Sequence, residues 1–487
     1  MSWLIPIGVA CLHIRSHRRL PLPPGPRGYP IVGNLLNIPR LKPWLTFKDW
    51  CNVYGDVVYL NLPMRPTIIL GSAKAAFDLL EKRSDNYSDR HLNAMTELSG
   101  WGFNFGLMRY SQRWRTHRRV FHQYLNQHSS LQWRSVQVDE SQKFLRRVLD
   151  DLDNIDGNTR LIIYGMHIES TDDYYMQIVR KASQGFSAIA VPGLYWVDYF
   201  PILRKLPEWF PGTQWKQVAN QIREWTNAMR LSPLQAVFDR IENDTVEHCV
   251  VAAALSKARE RHKNPEEQAV QEEIVADVAG VAYTNTAAQY FYIAMTLYPH
   301  VQKAAQAELD TVVGSNRLPT FDDFDKLVYI QAVVMEWHPV LPLGLTHRTL
   351  RDDNYNGYFI PAGTEVIPVT IIQKHCADYY PNPMEFKPER FIKDGKIDPN
   401  VRDLATIAFG FGRRICAGRH LASSSLFLIV ALTLHVFDIV PKEGESFDTE
   451  TMIGTGLLSV PTKVPVVVRP RSRDIERLVR DFPKLSD

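Results

Sequence analysis

The sequence is poor in cysteine and has no cysteine pair at a metal-binding spacing. Its 487 residues include five cysteines, and no two of them form a CxxC or CxxxC motif. Zinc sites and disulfide frameworks both need several suitably spaced cysteines. The pattern therefore argues against a zinc site and against a disulfide-stabilised secreted fold, so each cysteine must be judged by its own neighbours.

A strong net charge and flexible linkers are also missing. Lys and Arg total 56 against 53 for Asp and Glu, which leaves a formal charge of +3 and gives no support to a nucleic-acid partner. With 45% hydrophobic and 22% charged residues, the composition is globular and excludes both a disordered chain and a multi-span membrane protein. No repeat and no Gly/Ser-rich linker divides the chain after residue 35, which favours one domain.

Long apolar stretches are few, and one of them lies at the amino terminus. It runs from Trp3 to Ile14 and is followed by Arg15, His17, Arg18 and Arg19. A helix of about twelve residues spans about 18 Å, less than the roughly 30 Å hydrocarbon core. We predict that residues 1–20 form a short membrane anchor with a basic flank. A signal peptide is the alternative, but no small-residue cleavage site follows.

The remaining chain reads as a mainly α fold with small β-sheets. Residues 21–34 are rich in proline and predict a stiff hinge before a single domain over 35–487. Alternating apolar residues between Asp56 and Leu70 predict a hairpin, and a second strand-like region runs from Leu345 to about Thr370. Residues 418–438 are apolar nearly all round and predict a buried helix.

Cys416 lies in the one cysteine segment with unusual surroundings, Phe409-Gly410-Phe411-Gly412-Arg413-Arg414-Ile415-Cys416-Ala417-Gly418, just before the apolar helix. Glycines allow close approach of the backbone to a flat cofactor, while amide donors and a helix amino terminus stabilise a thiolate. The alternative is a structural cysteine in a Gly-containing loop. One Phe, two Gly and one basic residue at four fixed offsets from the cysteine favour the ligand hypothesis.

This segment resembles the heme-binding loop of the cytochrome P-450 family, with Phe409, Gly412, Arg414, Cys416 and Gly418 at the family's positions. The resemblance implies a single-domain cytochrome P-450 fold over 35–487. It also implies a heme b cofactor (iron-protoporphyrin IX) whose axial ligand is the Cys416 thiolate. Phe409 and Gly412 would contact the cofactor, and Arg414 would bind a heme propionate.

Other segments extend the resemblance over almost the whole chain. Trp114 and Arg118 match a Trp-x-x-x-Arg helix whose side chains bind a propionate, and His347 resembles a strand residue with the same role. Surface positions are the alternative for all three. The stretch from Val191 to Gly212 is similar to fungal secondary-metabolism members of the O-methylsterigmatocystin oxidoreductase type. Resemblance further suggests that substrate-facing residues are Trp101, Phe103, Phe105 and Leu343 to Leu345.

The sequence departs from the family pattern in three places. Ala282 and Tyr283 replace the acid and alcohol that relay protons, so Thr284, with Tyr283 beside it, is the nearest candidate catalytic hydroxyl. Glu336 is followed by Trp337-His338-Pro339 without the family's arginine three residues on, so we expect an incomplete buried ion network with Arg390 of the Pro388-Glu389-Arg390-Phe391 element. The segment from Asp151 to Tyr164, around Asp156, looks shortened.

The resemblance implies an NADPH-dependent monooxygenase that inserts one oxygen atom from O2 into a small apolar substrate. Its partners would be a reductase that supplies electrons and the endoplasmic reticulum membrane, with the catalytic domain on the cytoplasmic side. Arg115, Arg119, Arg413 and Arg419, which the resemblance places near the heme face on the thiolate side, are candidates for docking the reductase, with ordinary solvated surface as the alternative. The degenerate motifs leave two alternatives, namely a heme-thiolate isomerase or dehydratase and a heme-binding protein with impaired or no catalysis.

Overall fold

The computed structural model describes most of the chain beyond the amino-terminal segment. The described residues are 20–152, 174–191, 194–245, 249–261, 264–279, 285–336, 340–371, 380–383, 385–401, 405–445, 459 and 464–481. The predicted anchor, apart from Leu20, and the shortened segment after Leu152 lie outside these residues. So do the predicted catalytic residues Tyr283 and Thr284 and the neighbouring Ala282.

Helices dominate the described residues, as the sequence predicted. They are α1 (Pro43–Tyr54), α2 (Ala73–Ala76), α3 (Ser84–Tyr87), α4 (Ala94–Leu98), α5 (Gln112–Leu125), α6 (Arg134–Asp150), α7 (Tyr174–Ile189), α8 (Trp215–Glu242), α9 (Val250–Arg261), α10 (Pro265–Ala279), α11 (Asn285–Leu297), α12 (Pro299–Val312), α13 (Val328–Met335), α14 (Ala405–Ala408), α15 (Arg419–Val436) and α16 (Arg473–Asp481). Short 3-10 turns connect several of them.

The strands form small separate sheets. They are β1 (Val57–Leu62), β2 (Arg65–Leu70), β3 (His347–Arg348), β4 (Asp353–Tyr355), β5 (Tyr358–Ile360), β6 (Glu365–Pro368), β7 (Ile392–Lys393), β8 (Lys396–Ile397), β9 (Phe437–Pro441) and β10 (Val466–Pro470). The largest sheet has the order β1-β2-β6-β3. Both predicted strand regions are confirmed, because the β1-β2 hairpin pairs in parallel with β6 from the second region.

The proline-rich segment lies along the hairpin instead of forming an element of its own. The carbonyl oxygen of Pro24 accepts a hydrogen bond of 2.8 Å from the Tyr59 amide, and that of Pro21 accepts one of 2.8 Å from Phe359. A Cβ atom at Gly25 would lie 1.9 Å from the Tyr59 carbonyl oxygen, so glycine is required there for close approach. Its function as a hinge remains a prediction.

Helix α15 passes through the main hydrophobic core. From Leu426 to Val436 every side chain is buried, packed against residues of α6, α11, α12 and α13. Burial on all sides explains why this helix lacks the polar face of a surface helix. Among the described residues it is the one helix apolar and long enough to cross a membrane, yet protein surrounds it. Its role is to form the core directly behind Cys416.

The Glu336–Arg390 pair is formed despite the altered motif. The Arg390 Nε atom lies 2.9 Å from a Glu336 carboxylate oxygen, with side-chain exposures of 7% and 2%. Arg390 also donates to four backbone carbonyl oxygens, those of Pro381, Asn382, Glu385 and Lys387. Carbonyl oxygens therefore satisfy the Arg390 donors that a larger ion network would share, and the expectation that this network is incomplete stays a prediction.

Candidate active site

The loop before Cys416 is shaped by two glycines with left-handed backbones. Gly410 has φ 80° and Gly412 has φ 54°. A Cβ atom at Gly412 would lie 2.4 Å from the Leu80 carbonyl oxygen and 2.7 Å from the Ser84 Cβ, whereas at Gly410 the nearest atom, the Arg414 carbonyl oxygen, is 3.9 Å away. Gly412 is thus constrained by its contact with the Phe77–Tyr87 region. Cofactor contact by Gly412 stays a prediction.

The Cys416 thiol is accessible yet lies within the protein body. Its amide donates to the Phe409 carbonyl oxygen at 2.7 Å, which closes the loop, and its side chain is exposed. Desolvation by the surrounding protein raises the pKa of the thiol. A hydrogen bond from the Gly418 amide and the charges of Arg118 and Arg419 act to lower that pKa. Metal coordination would remove the proton, because a coordinating thiol is deprotonated.

Arg414 is held beneath the loop by backbone carbonyls and an aromatic ring. The guanidinium lies 4.4 Å from the ring centre of Trp114. It donates to carbonyl oxygens at 2.7 Å, 2.7 Å and 3.4 Å, those of Ser88, Met108 and Phe105. A guanidinium has five N–H donors, so donors remain for a further acceptor. Burial, followed by repulsion from Arg90, lowers the pKa of Arg414 to about 8.

Helix α5 presents the predicted Trp114 and Arg118. Ser111 caps the helix by accepting a hydrogen bond of 3.3 Å from the Trp114 amide. Trp114 is buried, and Arg118 is half-buried without a hydrogen bond or ion pair to any described residue. Burial lowers the pKa of Arg118, although the negative charge of a Cys416 thiolate would raise it. The i, i+4 spacing therefore brings both side chains to the Cys416 region.

Arg90 is a candidate functional residue that sequence reasoning missed. It is 5% exposed, donates to the Thr346 carbonyl oxygen at 2.6 Å, and has a buried Nε without a hydrogen-bond partner. Burial lowers its pKa to about 10. Its charge acts on both His347 and Arg414, so it belongs to the same cluster. No local sequence signal marks it, since its position depends on contacts with residues about 250 positions away.

Arg90, Arg118 and Arg414, which we call the cationic cluster, carry more positive charge than the protein neutralises. Asp89 is the buried acid beside them, and it accepts the Tyr110 amide at 2.8 Å. An arginine guanidinium stays charged in proteins, and burial is the main cause of the lowered pKa values here. Two arginines outside the cluster also lie 3.9 Å and 4.0 Å from the Asp89 carboxylate, so this one acid does not neutralise the cluster. The two carboxylates of a heme would supply negative charge there. The residues present fit that cofactor.

His347 lies beside the cluster in a defined tautomer. Its ring is 3% exposed, and Nδ1 donates to the Tyr87 carbonyl oxygen at 2.8 Å. Burial, and next the charge of Arg90, hold the pKa of His347 well below its usual range, so the ring is neutral. With its proton on Nδ1, the Nε2 atom is an acceptor. His347 can therefore donate to a carboxylate only after it takes up a second proton.

The proposed substrate-facing residues separate into two groups. Trp101, Phe103 and Leu343 lie in one buried cluster, and Trp101 packs against Phe186 of α7 with ring centres 4.7 Å apart. Phe105 lies instead in the cluster of Trp114, with its ring centre 5.2 Å from that of Phe121. The contact of these residues with substrate stays a prediction.

The chain is similar to known proteins over most of its length. The family model described as Cytochrome P450 matches residues 23–466. The chain belongs to the cytochrome P450 family. One relative of this P450 is a cytochrome P450 monooxygenase, COX1, of Coprinopsis cinerea, with 38% identity over 88% of this chain and 86% of the relative. Another is the tryptamine 4-monooxygenase of Psilocybe cyanescens, with 34% identity over 96% of each chain. A third is COX2 of Coprinopsis cinerea, with 34% identity over 98% of this chain and 94% of the relative.

The two loop glycines of this P450 should differ in their tolerance of alanine. Gly410→Ala introduces a positive φ at a non-glycine residue, which costs about 1–2 kcal/mol. Gly412→Ala adds a collision with Leu80 and should lose about 1–3 kcal/mol more. Denaturant unfolding of both variants measures the difference. Equal losses of unfolding free energy would show that the contact with Leu80 does not constrain the loop.

Heme retention should depend on pH through His347. A propionate raises the depressed pKa of His347, so binding takes up a proton and the affinity for heme falls as pH rises through the pKa of His347 in the heme-bound protein. The rate of heme transfer to excess apomyoglobin should increase over the same pH range. His347→Gln should remove most of this dependence, and the exposed His128→Gln should keep it. An unchanged pH dependence in His347→Gln would contradict the assignment.

Proposed function

We propose that this P450 is a heme-thiolate monooxygenase with Cys416 as the axial ligand. An accessible thiol at the start of a buried helix, beside the cationic cluster, carries the proposal. When bound, the heme supplies the oxidising chemistry, in which a thiolate ligand favours O–O cleavage. The protein holds the ligand loop rigid, binds the propionates and encloses the substrate. Insertion of one oxygen atom from O2 into a small apolar molecule of secondary metabolism is the proposed reaction.

The proposed cofactor contacts follow from the free donors of the site. Arg414 and Arg90 are fixed by backbone carbonyls but keep N–H groups for propionates. Arg118 and Trp114 approach from α5, and His347 approaches from β3. Phe409, half-buried in the ligand loop, would pack beside the heme on the thiolate side. Charge-assisted hydrogen bonds of this kind orient a carboxylate strongly in a buried site.

Replacement of the ligand tests the proposal most simply. Cys416→Ala should abolish the thiolate-type carbon monoxide difference spectrum of the reduced protein, because the sulfur that coordinates iron is removed. Cys249→Ala is the matched control, since Cys249 is buried in another cluster and should leave the spectrum intact. A thiolate-type spectrum that survives in Cys416→Ala would assign the ligand to another residue.

The intact scaffold bears on the alternative functions. A non-catalytic protein was suggested by the altered Glu336 motif, but Glu336 and Arg390 form a buried pair and the Arg390 donors are satisfied. The reason for suggesting a non-catalytic protein is therefore weaker. An isomerase or dehydratase remains the alternative suggested by Ala282 and Tyr283, because such reactions need no proton delivery to O2.

The sequence at the oxygen site predicts inefficient coupling of electron use to product. Ala282 and Tyr283 replace an acid and an alcohol, and general acid catalysis is typically worth about 100- to 10,000-fold. Wild type should therefore convert much NADPH into hydrogen peroxide, with Thr284 as the nearest hydroxyl. The Ala282→Asp, Tyr283→Thr double variant should form more product per NADPH. Tight coupling in wild type would show that another group relays protons.

We also propose NADPH as the electron source, delivered through a membrane-bound reductase. Arg115, Arg119 and Arg413 are exposed and Arg419 is half-buried. Arg413 donates to the Tyr110 hydroxyl at 2.9 Å, and Arg115 lies 5.1 Å from the same ring, so part of this surface is fixed in place. Burial favours a higher pKa for Tyr110, but hydrogen bonds from Arg413 and Arg115 outweigh it and lower the pKa.

Charge reversal tests the reductase surface. Arg413→Glu combined with Arg119→Glu should slow electron transfer at low salt, since complementary charges mainly accelerate association. The difference from wild type should shrink at high salt. Lys393→Glu combined with Lys396→Glu, on β7 and β8, is the control for an equal change of net charge. Equal rates and equal salt dependence in the double variant would exclude this surface.

Membrane association is proposed from the exposed apolar side chains that accompany the predicted anchor. Ile31 is 92% exposed, Met64 81% and Ile202 65%. Asn34 pairs with Asn61 of the hairpin, and Arg65 lies 5.1 Å from the Tyr199 ring, so the segments carrying these side chains are neighbours. Exposed apolar patches mark interaction surfaces. We assign this surface to the cytoplasmic leaflet of the endoplasmic reticulum.

A further inference from the structure

A buried cluster around Asp277 connects three helices outside the sites described above. Asp277 lies near the end of α10 and is 1% exposed. His117 Nε2 of α5 donates to it at 2.9 Å, and Arg230 of α8 forms an ion pair with it at 2.5 Å. Arg113 lies 3.5 Å from the same carboxylate at the protein surface. A buried carboxylate with partners from two other helices is strongly tied to their relative positions.

Asp277 contacts α5, the helix that carries the predicted propionate ligands, through His117. His117 is 2% exposed and lies one turn after Trp114, directly before Arg118. Its Nδ1 faces the Arg113 carbonyl oxygen at 2.8 Å, and its Nε2 faces Asp277. Both neighbours are hydrogen-bond acceptors, so the ring is held between them and its orientation is fixed. This side chain therefore helps to fix the position of α5 against α10.

Asp277 contacts α8, the helix that covers the proposed substrate-facing residues, through Arg230. The Arg230 guanidinium lies 5.4 Å from the Phe103 ring centre while it pairs with Asp277. The same helix contacts the end of α4 through Arg223, which donates to the Leu98 carbonyl oxygen at 2.6 Å. Loss of the Asp277 charge would leave Arg230 with the more distant, 60% exposed Glu273 at 3.5 Å.

We propose that Asp277 is a positioning residue that fixes α5 through His117 and α8 through Arg230, joining the heme-binding side of the site to its substrate side. This inference rests on the proposed function, because that function assigns heme binding to α5 and the substrate side to α8. Neither connection needs Asp277 to touch substrate or heme. Removing Asp277 should therefore produce two separable defects, whereas removing one partner should produce only one of them.

Two readouts on the heme-loaded protein separate the connections. Heme transfer to excess apomyoglobin reports on α5, and stopped-flow binding of 4-phenylimidazole reports on access beneath α8. His117→Leu should accelerate heme transfer by about 10-fold or more, as supporting residues around metal sites typically do. Arg230→Met should accelerate association and dissociation of the azole. Asp277→Asn should show both effects, and His117→Gln, which keeps a donor toward Asp277, should restore most of the heme retention.

Glu273→Gln is the matched control, because it removes a carboxylate from the same helix facing the same arginine. If Asp277→Asn behaves like Glu273→Gln in both readouts, the proposal is overturned. If Asp277→Asn does not accumulate with heme, His117→Leu and Arg230→Met provide the test. Identical defects in these two variants, or no defect in either, would overturn the proposal. A wild-type protein without a thiolate-type carbon monoxide spectrum would refute the proposed function, whereas a normal wild-type spectrum with unaffected variants refutes only this inference.

Discussion

The concentration of positive charge beside one accessible thiol is the constraint on which the rest of the site depends. Arg90 and Arg414 are buried with depressed pKa values, and Asp89 is the buried acid next to them. Burying unbalanced cations is costly unless a counter-charge is supplied. The backbone carbonyls that hold both guanidiniums reduce this cost without neutralising the charge. A dianionic cofactor would complete the balance, so cofactor binding and folding of this region should be coupled.

Much of the surrounding architecture exists to keep these groups in place. The β1-β2-β6-β3 sheet sets the position of His347, because β3 pairs with β6 at its edge. Helix α15 packs in the core immediately after Cys416, and Gly412 lets the preceding loop lie against Leu80. Helix α5 brings Trp114 under Arg414 and, through His117, meets the buried Asp277. Each of these contacts joins segments that are distant in sequence, which explains why a whole fold is needed for one cofactor.

Sequence reasoning succeeded where a local pattern determines structure. The apolar run of α15, the hairpin at β1-β2 and the glycine-flanked cysteine were all visible as patterns of residue type. It failed where geometry depends on distant partners. Arg90 had no local signature, because it hydrogen-bonds to Thr346, which is 256 positions away in the sequence. The missing arginine after Glu336 suggested a defect, but the donors of Arg390 find carbonyl oxygens that no sequence pattern reveals.

A crystal structure of the heme-loaded protein would test the central claim most directly. An anomalous difference map at the iron absorption edge locates the metal independently of the surrounding density. We expect the iron at bonding distance from the Cys416 sulfur, about 2.3 Å as for other metal–thiolate bonds. We also expect the propionates to accept hydrogen bonds from Arg90 and Arg414, with His347 alongside. Iron bound away from Cys416, or propionates that contact neither arginine, would contradict the proposed charge balance.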